Sequence, residues 1–483
     1  METIVDFINT IFYDYVLLVG LLGVGLLITL RLKFIQFLHF SHFFHVLLKS
    51  GSSDRNGISP VQSLCTSLAS RVGTGNLAGV AVALTLGGPG AIFWMWMVAI
   101  LGMATAYAES TLAQLYKVQD KEGQFRGGPA QYIIAGLKMP VLAHAFAIAL
   151  IFCSGLVFSA VQSNSIASAM EDAFAIPELV TGIAVTVFAG FIIFGGIRKI
   201  AQFAVIVVPF MAAAYVIVTF GVVLLYIEEV PSLLLRIISS AFGLDQAAGG
   251  VTGGMLAAMS NGIRRGLYSN EAGMGTVPNI AASTSPSPHH PATQGFTQAI
   301  GVFIDTIVIC TATALLILLS GAYEPGGALT GIALTQAAAS EHLGSAGSYF
   351  IAIAILFFAF TTIVANFSYA ENVVFFLSHG RSWALPLLRI GALSMVLWGS
   401  LQSVTTVFNS ADAAMGFMAT INLFALTLLL PKVVALTKDY FKYIKAGQEP
   451  KFDISEHPDL AEGVNSLIWT EKHDAPDTTN KNE

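Results

Sequence analysis

The segment Ser70-Arg71-Val72-Gly73-Thr74-Gly75-Asn76 sets two glycines and four polar side chains in the middle of an apolar run extending from about Pro60 to Leu86. Glycines and polar groups at that spacing end one helical segment and start another, and the break leaves backbone groups free to bind. N–H groups at the start of the second half, around Thr74, Gly75 and Asn76, attract an anionic group such as a carboxylate, and the positive end of the helix dipole adds to the pull. Carbonyls at the end of the first half, joined by hydroxyls from elsewhere, can coordinate a small cation. Two other apolar runs carry polar groups able to join them: Gln162, Ser163 and Asn164 on one, Thr361, Thr362, Asn366 and Ser368 on the other. Adjacent Thr361 and Thr362 favour the ion role; the alternative is that each hydroxyl bonds back to its own helix. A further polar stretch, Ser260-Asn261-Gly262-Ile263-Arg264-Arg265-Gly266 followed by Ser269-Asn270-Glu271-Ala272-Gly273, cannot face lipid either. Its two arginines are site residues or halves of buried ion pairs, with Glu271, Glu109 and Asp305 as available acids.

The elements that must position these groups follow from composition. Of 483 residues 55% are hydrophobic and 11% charged, with a mean hydropathy of +0.73, outside the range of soluble domains. Apolar runs long enough for helices, about 20 residues to a span, and the lack of dyad-alternating strands predict an all-α polytopic membrane protein rather than a barrel. In a bilayer, broken backbone is tolerated only where it is buried in protein or lines a cavity, so the break predicts a site. Spans are read at about 15–30, 60–86, 91–116, 142–168, 179–196, 201–226, 251–279, 296–320, 346–377, 384–407 and 412–436, which makes eleven transmembrane helices. Setting the first aside leaves two groups of five, each headed by an interrupted helix. Five spans cross an odd number of times, so the second group enters from the opposite side, as in transporters built from inverted repeats with a midplane site. The expected division is 1–58 for the first helix and an interfacial segment, 59–226 and 227–445 for the two repeats, and 446–483 for a polar tail.

Lys and Arg gather in alternate loops, Arg31, Lys49, Lys117, Lys138, Lys199 and Arg381 among them, and Lys432 to Lys445 follow the last span. The opposite loops hold Glu171, Asp172, Glu178, Glu228 and Glu324. This asymmetry places the N-terminus outside and the C-terminus in the cytoplasm. The first residues carry Glu2, Asp6 and Asp14 with no basic region, unlike a cleaved signal peptide.

The remaining chemistry-bearing residues point to structure. Cys65, Cys153 and Cys310 read as small buried hydrophobes. His39, His42 and His45, three apart, share a face without a carboxylate or thiol beside them, and the segment Phe34 to Lys49 reads as an interfacial helix rather than a metal site; Ser232 to Phe242 is similarly short and amphipathic. His289 and His290 among three prolines read as a solvated, proline-stiffened loop. The tail from Ala446 reads as disordered or loosely docked, with Leu467-Ile468-Trp469 as its anchor. No basic patch suggests nucleic acid, no GxxxxGK[ST] loop suggests ATP, and no nucleophile and base in reach suggest an enzyme.

Gly87-Gly88-Pro89-Gly90-Ala91-Ile92-Phe93-Trp94-Met95-Trp96 closely resembles the signature of the alanine or glycine:cation symporter family. Gly73-Thr74-Gly75-Asn76, Gly127-Gly128-Pro129, Arg265 to Gly273 and Gly301 to Thr306 resemble further blocks of it. The resemblance spans all eleven helices. It implies a bacterial inner-membrane symporter with a LeuT-like 5+5 core in helices 2–11 preceded by one extra helix, importing alanine, glycine or a similar small neutral amino acid with sodium and no cofactor. It places the substrate carboxylate at Thr74, Gly75 and Asn76, with Gln162 and an Asn261–Gly262 break nearby. It places sodium between the carbonyls of Ala69 and Val72 and the hydroxyls of Thr361 and Thr362. Tyr268 stands where Phe is common, and Ala106 where Lys is frequent. None of the cation ligands titrates, which suits sodium better than a proton; a proton route through Glu109 or Asp305 stays open, and a channel is the more distant alternative.

Overall fold

The computed structural model describes residues 17–50, 57–243, 253–379, 381 and 383–470; the reading of the first residues and the start of the seventh apolar run lie outside them. A first helix, α1 (Leu18–Arg31), is followed by a short amphipathic helix, α2 (Phe40–Lys49). The helix leading into the first break, α3 (Pro60–Arg71), starts where it does because Ser59 and Gln62 form a reciprocal cap, Gln62 N donating to Ser59 Oγ at 3.2 Å and Ser59 N to Gln62 Oε1 at 3.0 Å. Beyond the break a wide π-type turn, Gly75–Gly79, runs into α4 (Val80–Gly87) and then α5 (Gly90–Leu115).

Downstream come α6 (Pro129–Leu137), α7 (Pro140–Leu150) and α8 (Phe158–Phe174), the last two joined by a π-type segment. Then follow α9 (Glu178–Ile193), α10 (Gly196–Leu225) and the short α11 (Val230–Ala241). The second half holds α12 (Gly253–Asn270), α13 (Pro278–Ala282), α14 (Ala292–Val302) continued through a π-type segment into α15 (Thr311–Leu319), α16 (Gly331–Leu343), α17 (Ser345–Ser378), α18 (Ala384–Ser400) and α19 (Val404–Lys445). A helix lies over each of the apolar ranges read from the sequence. Among the described residues six continuous helices are long and apolar enough to cross a membrane, and five more are apolar but shorter. The only strand pair among them is a two-residue hairpin, Val118–Gln119 against Phe125–Arg126.

Two sequence expectations are corrected here. The second interruption falls at residues 271–277, not at Asn261–Gly262, because α12 runs unbroken to Asn270. Gly262 and Gly266 let α12 approach α5 instead: a Cβ on Gly262 would sit 2.4 Å from Ala91 O, and one on Gly266 3.3 Å from Met95 Cα. The true break holds Glu271, Gly273 and Gly275 at positive φ, of 56°, 91° and 80°. The His289–His290 loop is not solvated. His290 is fully buried with Nε2 3.3 Å from Asp439 Oδ2, and the His289 ring packs on Trp469. It is covered by the tail, which takes the docked alternative of its sequence reading through residue 470, with Ile468 and Trp469 buried. Phe452 N donates to His289 O at 2.9 Å, and fully buried Trp469 donates its indole N–H to Leu115 O at 3.3 Å. A polar chain end settles there because each ring finds an aromatic or carbonyl partner.

Candidate functional site

At the first break Val72 leaves the helix with ψ 86°. Thr74 N–H donates to Gln162 Oε1 at 3.0 Å, and Gly73 N–H to Asn76 Oδ1 at 3.0 Å. The Tyr268 hydroxyl stands between the two sides, 3.0 Å from Thr74 Oγ1 and 3.2 Å from Gln162 Nε2. On the opposite flank Thr362 Oγ1 lies 2.8 Å from Ala69 O, 2.9 Å from Phe358 O of its own helix and 3.5 Å from Val72 O. The chain passes so close to these groups that Gly73 admits nothing larger: a Cβ would meet Thr362 Oγ1 at 2.5 Å and Gln162 Oε1 at 2.8 Å. Thr74, Asn76, Gln162, Tyr268 and Thr362 are all buried. Carbonyl and hydroxyl oxygens thus gather on one flank, N–H donors on the other, as cation and carboxylate recognition require.

The second break is tied to the first. Ser70 Oγ, 2.7 Å from Glu271 Oε1 and 2.8 Å from Asn366 Oδ1, bridges the two broken segments to α17, while Thr276 Oγ1 donates to Glu271 Oε2 at 2.6 Å. Glu109 on α5 holds the same break, its Oε2 accepting from Asn422 Nδ2 at 2.9 Å, and that amide also reaches Gly273 O. Below Asn76, the Asp305 carboxylate accepts from Asn76 Nδ2 at 2.7 Å, Ser269 Oγ at 2.7 Å and Thr306 Oγ1 at 2.6 Å. Arg71 is buried, donates from Nη1 to Gln298 O at 3.0 Å, and lies within electrostatic reach of Glu109, Glu271 and Asp305. Its charge acts on all three carboxylates from a distance, without a direct ion pair to any of them among the described residues.

Among the residues expected at the site, Ala69, Val72, Thr74, Asn76, Gln162 and Thr362 come together around the first break. Gly75 lies on it too, packed against the second broken segment with a would-be Cβ 3.0 Å from Ser269 Cα. Thr361 turns elsewhere: its hydroxyl bonds back to Phe358 O at 2.9 Å and points at Met211 Sδ. Asn261 and Gly262 are not brought there. Asn261 Nδ2 donates to Ala257 O at 2.9 Å and Leu86 O at 3.4 Å, one helical end away.

Residues 1–454 match the model of the Sodium:alanine symporter family. The chain belongs to this family. A Bacillus subtilis relative named a probable sodium/glutamine symporter is 44% identical over 100% of this chain and 98% of its own. An amino-acid carrier protein of the same organism is 43% identical, over 94% of each chain. A sodium/proton-dependent alanine carrier protein of Bacillus sp. strain PS3 is 39% identical over 85% of this chain and 94% of its own. This member of the sodium:alanine symporter family is a transporter and not an enzyme, and it is a multi-pass membrane protein. Against that background the residues that sequence reasoning missed at the site are Tyr268, Ser269, Ser70 and Glu271. The signal for three of them was present in the polar run Tyr268-Ser269-Asn270-Glu271, which lies just past the place where the break was expected. The partner of Arg265 was missed outright: it is Asp412 on α19, paired through Arg265 Nη2, and not one of the three acids around Arg71.

Proposed function

We propose that the protein is a sodium-coupled secondary active symporter that imports small neutral amino acids, alanine and glycine, by alternating access. The observation that carries this reading is the two-sided first break, with Thr362 Oγ1 beside the Ala69 and Val72 carbonyls and Gln162 Oε1 on the Thr74 N–H. Sodium, as cargo, is assigned to Ala69 O, Val72 O and the Thr362 hydroxyl, with Thr361 next to it. The substrate carboxylate is assigned to the N–H groups from Thr74 to Asn76. On Thr74 an amide oxygen of Gln162 now holds the position that a carboxylate oxygen would take. The close walls at Gly73 and Gly75 favour a small substrate. The Tyr268 hydroxyl, set between Thr74 and Gln162, supports extension to a side-chain amide, and a relative's name mentions glutamine.

The same reading takes the protein as eleven transmembrane helices, with a LeuT-like 5+5 inverted repeat in helices 2–11. The N-terminus is outside and the C-terminus in the cytoplasm of a bacterial inner membrane. The support is that breaks at 72–74 and 271–277 head their sets and are joined by the Ser70–Glu271 hydrogen bond. Uptake of labelled alanine, glycine and glutamine by proteoliposomes, under imposed sodium or proton gradients, tests it. Concentrative uptake driven by inward sodium is expected. Equal uptake with potassium in place of sodium would refute the coupling, and flux that never exceeds equilibration would indicate a channel.

A further inference from the structure

Asp305 is fully buried, and every partner of its carboxylate among the described residues is neutral: the Asn76 amide on Oδ1, the Ser269 and Thr306 hydroxyls on Oδ2. The arrangement is asymmetric in a way that matters for charge. Hydroxyls can rotate and accept as well as donate, whereas an amide NH2 only donates. The orientation of the Asn76 amide is fixed, because its Oδ1 accepts the Gly73 N–H. A proton on Oδ2 can therefore be received by either hydroxyl turning round, while Oδ1 stays an acceptor for Asn76. The site accommodates both protonation states without losing a partner. A metal ion fits it poorly, since an NH2 group points into it and the Cys310 sulfur lies 3.3 Å from Asn76 Nδ2 and 3.1 Å from Ser269 Oγ.

Its placement links the carboxylate to the transport break. Asp305 lies in the π-type segment Phe303–Cys310, which packs on the π-type turn Gly75–Gly79. Wide turns of this kind leave carbonyls free of their own helix, and Asp305 O also accepts from Asn76 Nδ2, at 3.0 Å. The ionisable groups facing Asp305 are Arg71 from α3, Glu271 from the second break and Cys310 on its own segment, with Tyr215 of α10 behind Cys310. Glu109 of α5 faces Arg71 and Glu271. The adjoining α14 and α15 bring no ionisable side chain. One guanidinium against three carboxylates leaves excess negative charge in a buried interior, and a proton on Asp305 reduces it by one with no further ligand.

We propose that Asp305 is a proton-binding site of the transporter, and that Asn76 passes its protonation state to the Gly73–Asn76 break where substrate binds. The proposal rests on the symporter reading above; a relative's name mentions proton dependence, and what is added here is the residue that holds the proton. When Oδ2 takes the proton and the Ser269 hydroxyl turns to receive it, the residue packed on Gly75 and Asn76 changes its polarity towards both.

The test follows internal pH with an entrapped dye while sodium-driven uptake of labelled alanine is measured in proteoliposomes. Wild-type protein is expected to move protons with alanine. In Asp305→Asn the protons moved per alanine should fall at least tenfold, and Asp305→Glu should restore them. Sodium-driven uptake in the wild type with no proton movement, or an unchanged proton-to-alanine ratio in Asp305→Asn, overturns this inference while leaving the symporter reading standing. No sodium-driven uptake of any amino acid in the wild type overturns both. Should Asp305→Asn fail to fold, Thr306→Val replaces it: removing one donor to the carboxylate should move the pH midpoint of uptake upward by about half a unit to one unit. An unmoved midpoint overturns the inference.

Discussion

Thr361 and Thr362 are neighbours in sequence and both hydroxyls lie 2.9 Å from Phe358 O of their own helix, but that of Thr362 also lies 2.8 Å from Ala69 O, which separates their roles experimentally. Thr362→Ala removes an oxygen that lies 2.8 Å from Ala69 O, and the sodium concentration for half-maximal uptake is expected to rise about tenfold, the equivalent of one hydrogen bond to a charged group. Thr361→Ala, whose hydroxyl points at Met211 Sδ rather than at the first break, should change it far less. Equal effects of the two substitutions on a sodium titration of uptake would refute the assignment. Gly75→Ala tests the other flank. A Cβ there lies 3.0 Å from Ser269 Cα and 3.2 Å from Tyr268 Cδ1, so substrate binding should be lost with the protein still present in the membrane, as read by ligand binding and immunoblot. Wild-type affinity in that variant would contradict the carboxylate cradle. Arg71, whose place in the sequence offered no role, ties the first break to α14 through its hydrogen bond to Gln298 O.

At the level of elements, the two breaks were not equally legible. The first could be read because glycines and polar residues interrupt an apolar run locally. The second was misplaced by the same signal: Gly262 and Gly266 serve helix contact with α5, and a glycine's use in packing or in a turn is decided by a neighbour far away in sequence. The same holds for Arg265, whose partner Asp412 lies 147 residues away. Also unforeseen was α16, whose Thr335 donates to Leu77 O at 3.0 Å behind the first break. Leaving a buried charge unpaired costs about 3–5 kcal/mol. Asp412→Asn is therefore expected to lower the thermal midpoint sharply in detergent, and Arg265→Met combined with Asp412→Leu should recover much of it. A single variant as stable as wild type would show that the pair does not join α12 to α19. The helix α2 has its own pH signature. Burial, with help from His45 and His39, lowers His42 from 6.5 to about 4, and its Nε2 lies 3.1 Å from Tyr440 Oη. The depressed value means that the unfolded chain binds the proton first, so the contribution is complete above pH 6.5 and is lost as pH falls towards 4. The thermal midpoint should drop over that window, and His42→Phe should flatten the drop; an identical slope in the variant would contradict it.

On the scale of the whole molecule, the tail closes one face. It lays Phe452 and Trp469 over the His289–His290 loop, and Lys117 stands 4.8 Å over the Trp469 ring. Emptying a fully buried tryptophan site costs about 3–5 kcal/mol. Trp469→Ala should therefore release the segment to limited proteolysis at residues 446–470, and resistance equal to wild type would contradict the docking. Composition marked this stretch as polar and acidic; Trp469 stood out as an anchor, while Phe452, also buried, did not. The tail is carried by α19, whose 42 residues include Pro431. At 1.5 Å per residue this helix is about 63 Å long, roughly twice the hydrocarbon thickness, so a considerable part of it stands outside the bilayer. A proline cannot donate to the carbonyl four residues back, which makes Pro431 the natural joint of the rod. The tail therefore rides on the part of α19 beyond Pro431, while Asp412, near the other end, is joined to α12 through Arg265. A change in the angle between the two arms would show itself as movement of the cap rather than of the span.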